Sequence, residues 1–257
     1  MPSTVVTWNV NSIKVRKERV LAFLARHSPD VVCLQELKLE EAKFPRAEIE
    51  AAGYHAAVLG QKTYNGVAIL SKSPIENVHR GFADDVDDSH ARFIIGTTAG
   101  MRIASAYFPN GGEQTSPKYP FKLAWMKRLR VYLDTHEKPN DDLLLCGDFN
   151  VAVDELDIAK PDQWQDTVLT SDAVRAALDE IREWGFVDAF RQQHPEGKIF
   201  SWWDYRQLAF PKNDGLRIDH IYATKGLAKR CIAAAVDREE RKGAQPSDHA
   251  PVLCTFS

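Results

Sequence analysis

Apolar residues in this chain gather in short runs separated by polar or glycine-containing stretches. Runs at Val5–Trp8, Val31–Leu34, Gly66–Leu70, Phe93–Thr98, Arg102–Phe108, Leu143–Cys146, Leu216–Ala223, Cys231–Val236 and Val252–Phe256 are too short for helices and read as strands. Helical spacing fills some of the gaps. Lys14–Ala25 carries Val15, Val20, Leu21 and Leu24, and residues 117–133 carry Phe121, Leu123, Trp125, Met126 and Leu129. Ser171 followed by Asp172 predicts a capped helix reaching about residue 184. Several strands follow one another directly, with no sustained β-α-β alternation. The pattern therefore predicts an α/β protein of two packed sheets with helices outside.

No repeat, low-complexity tract or Gly/Ser linker divides the 257 residues, so one domain over residues 1–257 is expected. Hydrophobic residues at 44% and charged residues at 27% are ordinary for a soluble globular protein. No basic-then-apolar leader precedes the first strand, and no apolar run approaches the ~20 residues of a membrane span. A cytoplasmic protein with no membrane partner and no appended regulatory domain is the expectation. Cys33, Cys146, Cys231 and Cys254 form no C-x-x-C pair, and each lies in an apolar run. They read as buried free thiols in a reducing compartment. A net charge of −3 does not announce a nucleic-acid binder. It is compatible with one if a carboxylate-rich metal site stands beside a local basic surface.

Candidate chemistry enters where polar residues interrupt the strands. "VVTWNVN" closes on Asn9 and Asn11, "DVVCLQELK" on Gln35 and Glu36, and "LLLCGDFN" on Asp148 and Asn150. "GLRIDHIYAT" places Asp219 and His220 inside a strand, and "PSDHAPVL" places Asp248 and His249, flanked by Pro246 and Pro251, before the last one. Taken singly, such an Asp is ordinarily a turn residue, such a Glu a solvated charge and such a His a surface residue. Taken together they supply oxygen ligands and one imidazole, and unpaired carboxylates are costly on core strands. Hard oxygen donors favour Mg²⁺, with Mn²⁺ as a substitute, over zinc.

The segments "TWNVNSIKVR", "CLQELKL", "GQKTYNGVAILSK", "ARFI", "YFPNG", "CGDFNVA", "FSWWDYR", "GLRIDHI" and "PSDHAPV" resemble, in order, the exonuclease III / AP endonuclease family of the endonuclease–exonuclease–phosphatase superfamily. The resemblance spans residues 4–256. It implies a four-layer α/β sandwich, two packed mixed β-sheets flanked by helices, with the active site at one edge of the sheets. It also implies residue roles. Glu36 is a metal ligand with Asn11 behind it, and Asp148 holds and deprotonates the attacking water, positioned by Asn9 and Asn150. His249 binds the phosphate, oriented by Asp219, and Asp248 serves the metal or its surroundings. The expected catalytic set is thus Tyr107, Asp148, Asn150, Asp219 and His249, and the expected metal set is Asn9, Glu36, Asp148, Asn150, Asp248 and His249.

Tyr107 and Asn110 match residues that touch the scissile phosphate. Arg92, Lys62 and Tyr64 match contacts to the DNA backbone. Trp202, Leu216 and Ile218 match the walls of a small apolar pocket that admits an extruded sugar lacking its base. Adjacent strand residues face opposite ways, so Trp203 is assigned to the core; His220 is read as structural. Leu216 stands where some members carry tryptophan, which implies a more open pocket. Ala159–Val168, "AKPDQWQDTV", matches no DNA-contacting stretch, and substrate preference is expected to be set there.

The reading is a Mg²⁺-dependent DNA repair phosphodiesterase, monomeric, acting on double-stranded DNA with abasic sites or blocked 3′ ends. It would cut 5′ to abasic sites, with accompanying 3′-5′ exonuclease and 3′-phosphatase activity. The alternatives are a predominant 3′-5′ exodeoxyribonuclease or a superfamily phosphatase acting on other phosphoesters. A non-catalytic DNA-binding relative is disfavoured because Glu36, Asp148, Asn150, Asp219 and His249 are all present.

Overall fold

The computed structural model describes residues 2–84, 86 and 89–257. Its strands are β1 (Ser3–Asn9), β2 (Val31–Gln35), β3 (His55–Leu59), β4 (Val67–Ser71), β5 (Glu76–Arg80), β6 (Phe93–Thr98), β7 (Met101–Tyr107), β8 (Leu143–Asp148), β9 (Phe186–Asp188), β10 (Asp219–Thr224), β11 (Cys231–Val236) and β12 (Val252–Phe256). They form two six-stranded sheets, ordered β11-β12-β1-β2-β4-β3 and β5-β6-β7-β8-β10-β9.

Side-chain alternation explains the layering. Val5, Val31, Cys33 and Ile69 of the first sheet meet Ile103, Leu144, Cys146 and Ile221 of the second in the central core. The intervening residues Val6, Trp8, Val32 and Leu34 turn outward onto Val20, Phe23 and Leu24 of the helix Ile13–His27. On the far side, Ala104, Ala106, Leu143 and Leu145 pack against the helices Lys118–His136 and Asp172–Glu183. The result is a helix–sheet–sheet–helix sandwich. Central strands buried on both faces read as continuous apolar runs, which is why the sequence marks them so clearly.

Three strands carry no such mark. β3 holds adjacent alanines, β5 is a mostly exposed polar strand at a sheet edge, and β9 has only three residues. The expected strand from Leu216 begins instead at Asp219. Leu216 makes isolated bridges to Ile158 and Trp202, so Asp219 opens its strand rather than lying inside it. Ser171 occupies the N-cap position, but its hydroxyl is 2.6 Å from the Tyr119 hydroxyl, and its carbonyl oxygen accepts from Val174 and Arg175. All four cysteines are free and buried. Among the described residues, no helix is long and apolar enough to cross a membrane.

Strand direction brings the polar residues to one edge. β1 and β2 are parallel and end together at Asn9 and Gln35; β7 and β8 are parallel and end together at Tyr107 and Asp148. β10 runs the other way, and its first residue, Asp219, pairs with Asp148.

Candidate active site

Local backbone geometry aims the groups at this edge. Gly147 is required because β8 passes so close to β7 that a Cβ there would lie 1.9 Å from the Ala106 carbonyl oxygen. That approach sets Asp148 beside Tyr107. Just beyond the strand ends, Asn11, Glu36, Lys38 and Asn150 all adopt left-handed φ values, between 44° and 54°. Such conformations cost about 1–3 kcal/mol each in non-glycine residues and persist where the surroundings enforce them. Here they turn the chain sharply away from the sheets.

Asn9 ties the two sheets together: its Nδ2 donates to Glu36 Oε1 and to Asp148 Oδ2, each at 2.8 Å. Its Oδ1 accepts the Asn11 N–H at 2.9 Å. The expected place of Asn9 among metal ligands is therefore corrected: it presents N–H groups to the carboxylates and holds them from behind. Asn150 donates its backbone N–H to Asp148 Oδ1 and its Nδ2 to the Phe108 carbonyl, and accepts from Asn110 Nδ2. His249 Nδ1 lies 2.9 Å from Asp219 Oδ2, and its Nε2 lies 3.7 Å from Asp148 Oδ2. Ser201 Oγ donates to Asp219 and accepts its backbone N–H, while Ser247 Oγ donates to the Asn9 carbonyl and accepts the His249 N–H.

Burial pushes the Asp148 carboxyl up to about 7, helped by the Asp219 and Glu36 carboxylates and opposed by His249 and Asn9. For His249, burial pulls the other way, but Asp219 and Asp148 outweigh it and raise the imidazole to about 10. The imidazolium form is thereby favoured, which can donate hydrogen bonds; as a neutral ring, His249 is one of three residues here that could hold a metal. Burial raises Tyr107 well above the usual phenol value, and Glu36 and Asp148 add to it, so its hydroxyl stays protonated. Burial would also raise Glu36, but Lys38 and the Asn9 amide hold it below the ordinary glutamate value.

Glu36, Asp148 and His249 present ligand atoms within 4.8 Å of one another, the one such group among the described residues. The carboxylates of Glu36 and Asp148 are oxygen donors, which suit a hard divalent cation. Asp248 stands outside this group. Its oxygens accept from Asn11 Nδ2 at 2.9 Å and Trp202 Nε1 at 3.0 Å, so the Asp248–His249 pair diverges, only His249 facing Asp219 and Asp148.

A cavity of about 730 Å³ opens over these groups, lined by Glu36, Tyr107, Asn110, Asp148, Asn150 and His249. Trp202, Ile218, Trp164, Val168 and Leu169 form its apolar side. Leu216 is fully buried behind that wall, so its expected place on the pocket surface is corrected. Trp203 is also fully buried, against Phe210. A neighbouring cavity of about 460 Å³ shares Glu36, Tyr107 and Asn110, and adds Lys38, Lys118, His90, Arg92 and Tyr64. This is the local basic surface that net charge conceals. The Arg92 guanidinium lies over the Tyr107 ring, 4.7 Å from its centroid. Lys62 is exposed on the adjoining loop but lines neither of these two cavities. Asn11 touches Asp248 and Lys38 rather than the main cavity.

Four groups escaped sequence reasoning. Trp164 lies in the stretch that matched no motif, yet it meets Trp202 edge-on across the cavity, with centroids 5.9 Å apart. A tryptophan in an otherwise polar segment was the available signal. Lys122 is fully buried in the helix Lys118–His136 and donates to the carbonyls of Asn150 and Val168, each at 2.6 Å, and of Asn110 at 3.3 Å. It clips three wall segments together, and nothing in its spacing distinguishes it from a solvated lysine. Ser201 and Lys38 lie within the quoted segments "FSWWDYR" and "CLQELKL" but were given no role there.

Comparison with known proteins agrees with this fold. The Endonuclease/Exonuclease/phosphatase family description matches residues 6–249. Exodeoxyribonuclease III of Haemophilus influenzae is 34% identical, covering 98% of each chain. An AP endonuclease structure from Archaeoglobus fulgidus is 37% identical, with a TM-score of 0.96 over 99% of each chain. A Neisseria 3′ phosphatase bound to a product DNA hairpin is 39% identical, with a TM-score of 0.95 over 99% of each chain. By its sandwich, its edge site and these likenesses, the chain belongs to the endonuclease/exonuclease/phosphatase family, in the exonuclease III / AP endonuclease group.

Proposed function

We propose that this chain is a Mg²⁺-dependent DNA repair nuclease, acting as a cytoplasmic monomer and single catalytic domain. It cleaves the DNA backbone 5′ to abasic sites and trims or dephosphorylates 3′ ends. The observation that carries the reading is the Asp219–His249 pair facing Asp148 at the foot of a cavity with one apolar side. Phosphodiester hydrolysis needs an activated water, a neutralised phosphate and a stabilised leaving oxygen. Asp148, fixed by Asn9 and Asn150, takes the proton from water. The His249 imidazolium, held by Asp219, and the Tyr107 hydroxyl donate to phosphate oxygens. Glu36 and Asp148 would hold Mg²⁺, which supplies Lewis acidity to the phosphate when bound.

The wall of Trp164, Trp202, Ile218 and Leu169 suits a sugar without its base. The cavity rim carries Glu113, Asp166 and Asp204, which disfavour a backbone running onward past them. That rim favours a second reading for the same site, hydrolysis at a 3′ terminus. A labelled duplex with one central abasic analogue separates the readings, beside an intact duplex and one ending in a 3′ phosphate, each with Mg²⁺ or EDTA. A Mg²⁺-dependent cut 5′ to the lesion is expected. Attack only at 3′ ends makes the second reading the main one, and no attack on any duplex removes DNA as substrate.

A further inference from the structure

Lys38 belongs to no role so far assigned, although its placement is specific. Its Nζ lies 2.8 Å from Glu36 Oε2 and 2.5 Å from Asn11 Oδ1, and its backbone is held left-handed, with its N–H donating to the Asn65 carbonyl. The ammonium is therefore a cation seated between two side-chain oxygens, one from Glu36 and one from Asn11. Asn11 cannot carry charge; its Nδ2 is turned to Asp248, which leaves its oxygen for Lys38. Among the described residues, Glu36 is the one carboxylate within salt-bridge distance of Lys38.

We propose that Lys38 is a tethered competitor for the divalent metal, its ammonium occupying the Glu36–Asn11 seat and leaving Glu36 when the metal binds. The inference rests on Glu36 being a metal ligand, as proposed above. A carboxylate beside an apolar pocket needs a counter-charge whether or not metal is present. The lysine keeps the site assembled at low metal concentration and lowers metal affinity in return. A lysine is suited to this, being a compact charge on a flexible stem that can swing toward the neighbouring cavity, which it also lines.

The test is calorimetric titration of the full-length chain with Mn²⁺, without DNA, on wild type, Lys38→Met, Lys38→Arg and Glu36→Gln. Lys38→Met keeps the stem and removes the charge. Removing a positive charge a few ångströms from a divalent ion should tighten binding on the order of tenfold or more, while Lys38→Arg should leave it near wild type. If Glu36→Gln does not weaken binding, the site reading itself fails. If Glu36→Gln weakens it but Lys38→Met leaves affinity unchanged or lower, only the competition is refuted. Nuclear magnetic resonance of wild-type protein with ¹³C-methylated lysines needs no variant to fold. The Lys38 signal should shift on titration with diamagnetic Ca²⁺ or Mg²⁺, and a Lys38 signal unmoved by saturating metal would also overturn the proposal.

Discussion

Replacing Arg217 by methionine removes the cation from a buried cluster directly behind the pocket wall. The side chain is 1% exposed; its Nε and Nη2 lie 2.6 and 3.1 Å from the Asp157 carboxylate, and Nη2 lies 2.9 Å from Asp188. Breaking a buried pair from one side costs about 3–5 kcal/mol, because the remaining charge is left uncompensated. Asp157 keeps Arg191 and the Val153 N–H, and Asp188 keeps the Arg191 N–H, so the lower end of that range is expected. At ~2–4 °C per kcal/mol for a chain of this size, the melting temperature should fall by roughly 6–12 °C at pH 7.

The pH dependence separates charge from packing. Burial alone would raise Asp157 and Asp188, but Arg217 holds both below the ordinary aspartate value. In wild type their stabilisation is present above the unfolded pKa and is lost as pH falls through the depressed folded values. Without Arg217, Asp188 is left with His220 and the Arg191 N–H to oppose burial, so its pKa rises, and protonation relieves part of the penalty as pH falls toward 4. Melting curves of both proteins between pH 7 and 4 should therefore converge. A gap that stays constant across this range, or one under about 1 kcal/mol at pH 7, would refute the reasoning.

Three further expectations concern the site. Activity should fall as His249 loses its proton near pH 10, and Asp219→Asn should move this upper limb to lower pH, since Asp219 raises His249. A pH–rate profile whose upper limb is unmoved by that change would separate His249 from Asp219. Trp164→Ala opens the apolar wall opposite Trp202 and should cut the preference for an abasic over an intact duplex by about tenfold, read from kcat/KM on each. Gly147→Ala forces a Cβ into the Ala106 carbonyl, so β7 and β8 must part; a well-folded variant by circular dichroism and thermal melting would show that the approach is not obligatory.

The central strands and the site's carboxylates were legible for the same physical reason. Strands buried on both faces announce themselves as apolar runs, and a carboxylate closing such a run is costly without a partner. β3, β5 and β9 were not legible, because alanine pairs, exposed edge residues and three-residue pairings carry little hydrophobic signal. Within the site, sequence proximity misled in both directions. Asp248 and His249 are neighbours in the chain, yet one faces Asn11 and Trp202 and the other Asp219 and Asp148. Leu216 precedes Ile218 by one strand step, but the chain has not yet joined β10 there and Leu216 sinks behind the wall. Lys122 and Trp164 gain their places only from tertiary packing.

The position of β12 between β11 and β1 bears on how a chain with this chemistry can be made safely in a cell. His249 lies just ahead of β12, while the Asn9, Glu36 and Asp148 it must meet are synthesised far earlier. A ribosome-bound or prematurely terminated chain that stops short of residue 249 lacks the imidazolium. It also lacks the strand that joins β11 to the rest of its sheet. Cutting competence then arrives only with the late docking of β12, a long-range pairing of the kind that forms slowly. Truncated products should be proteolytic substrates rather than stray nucleases.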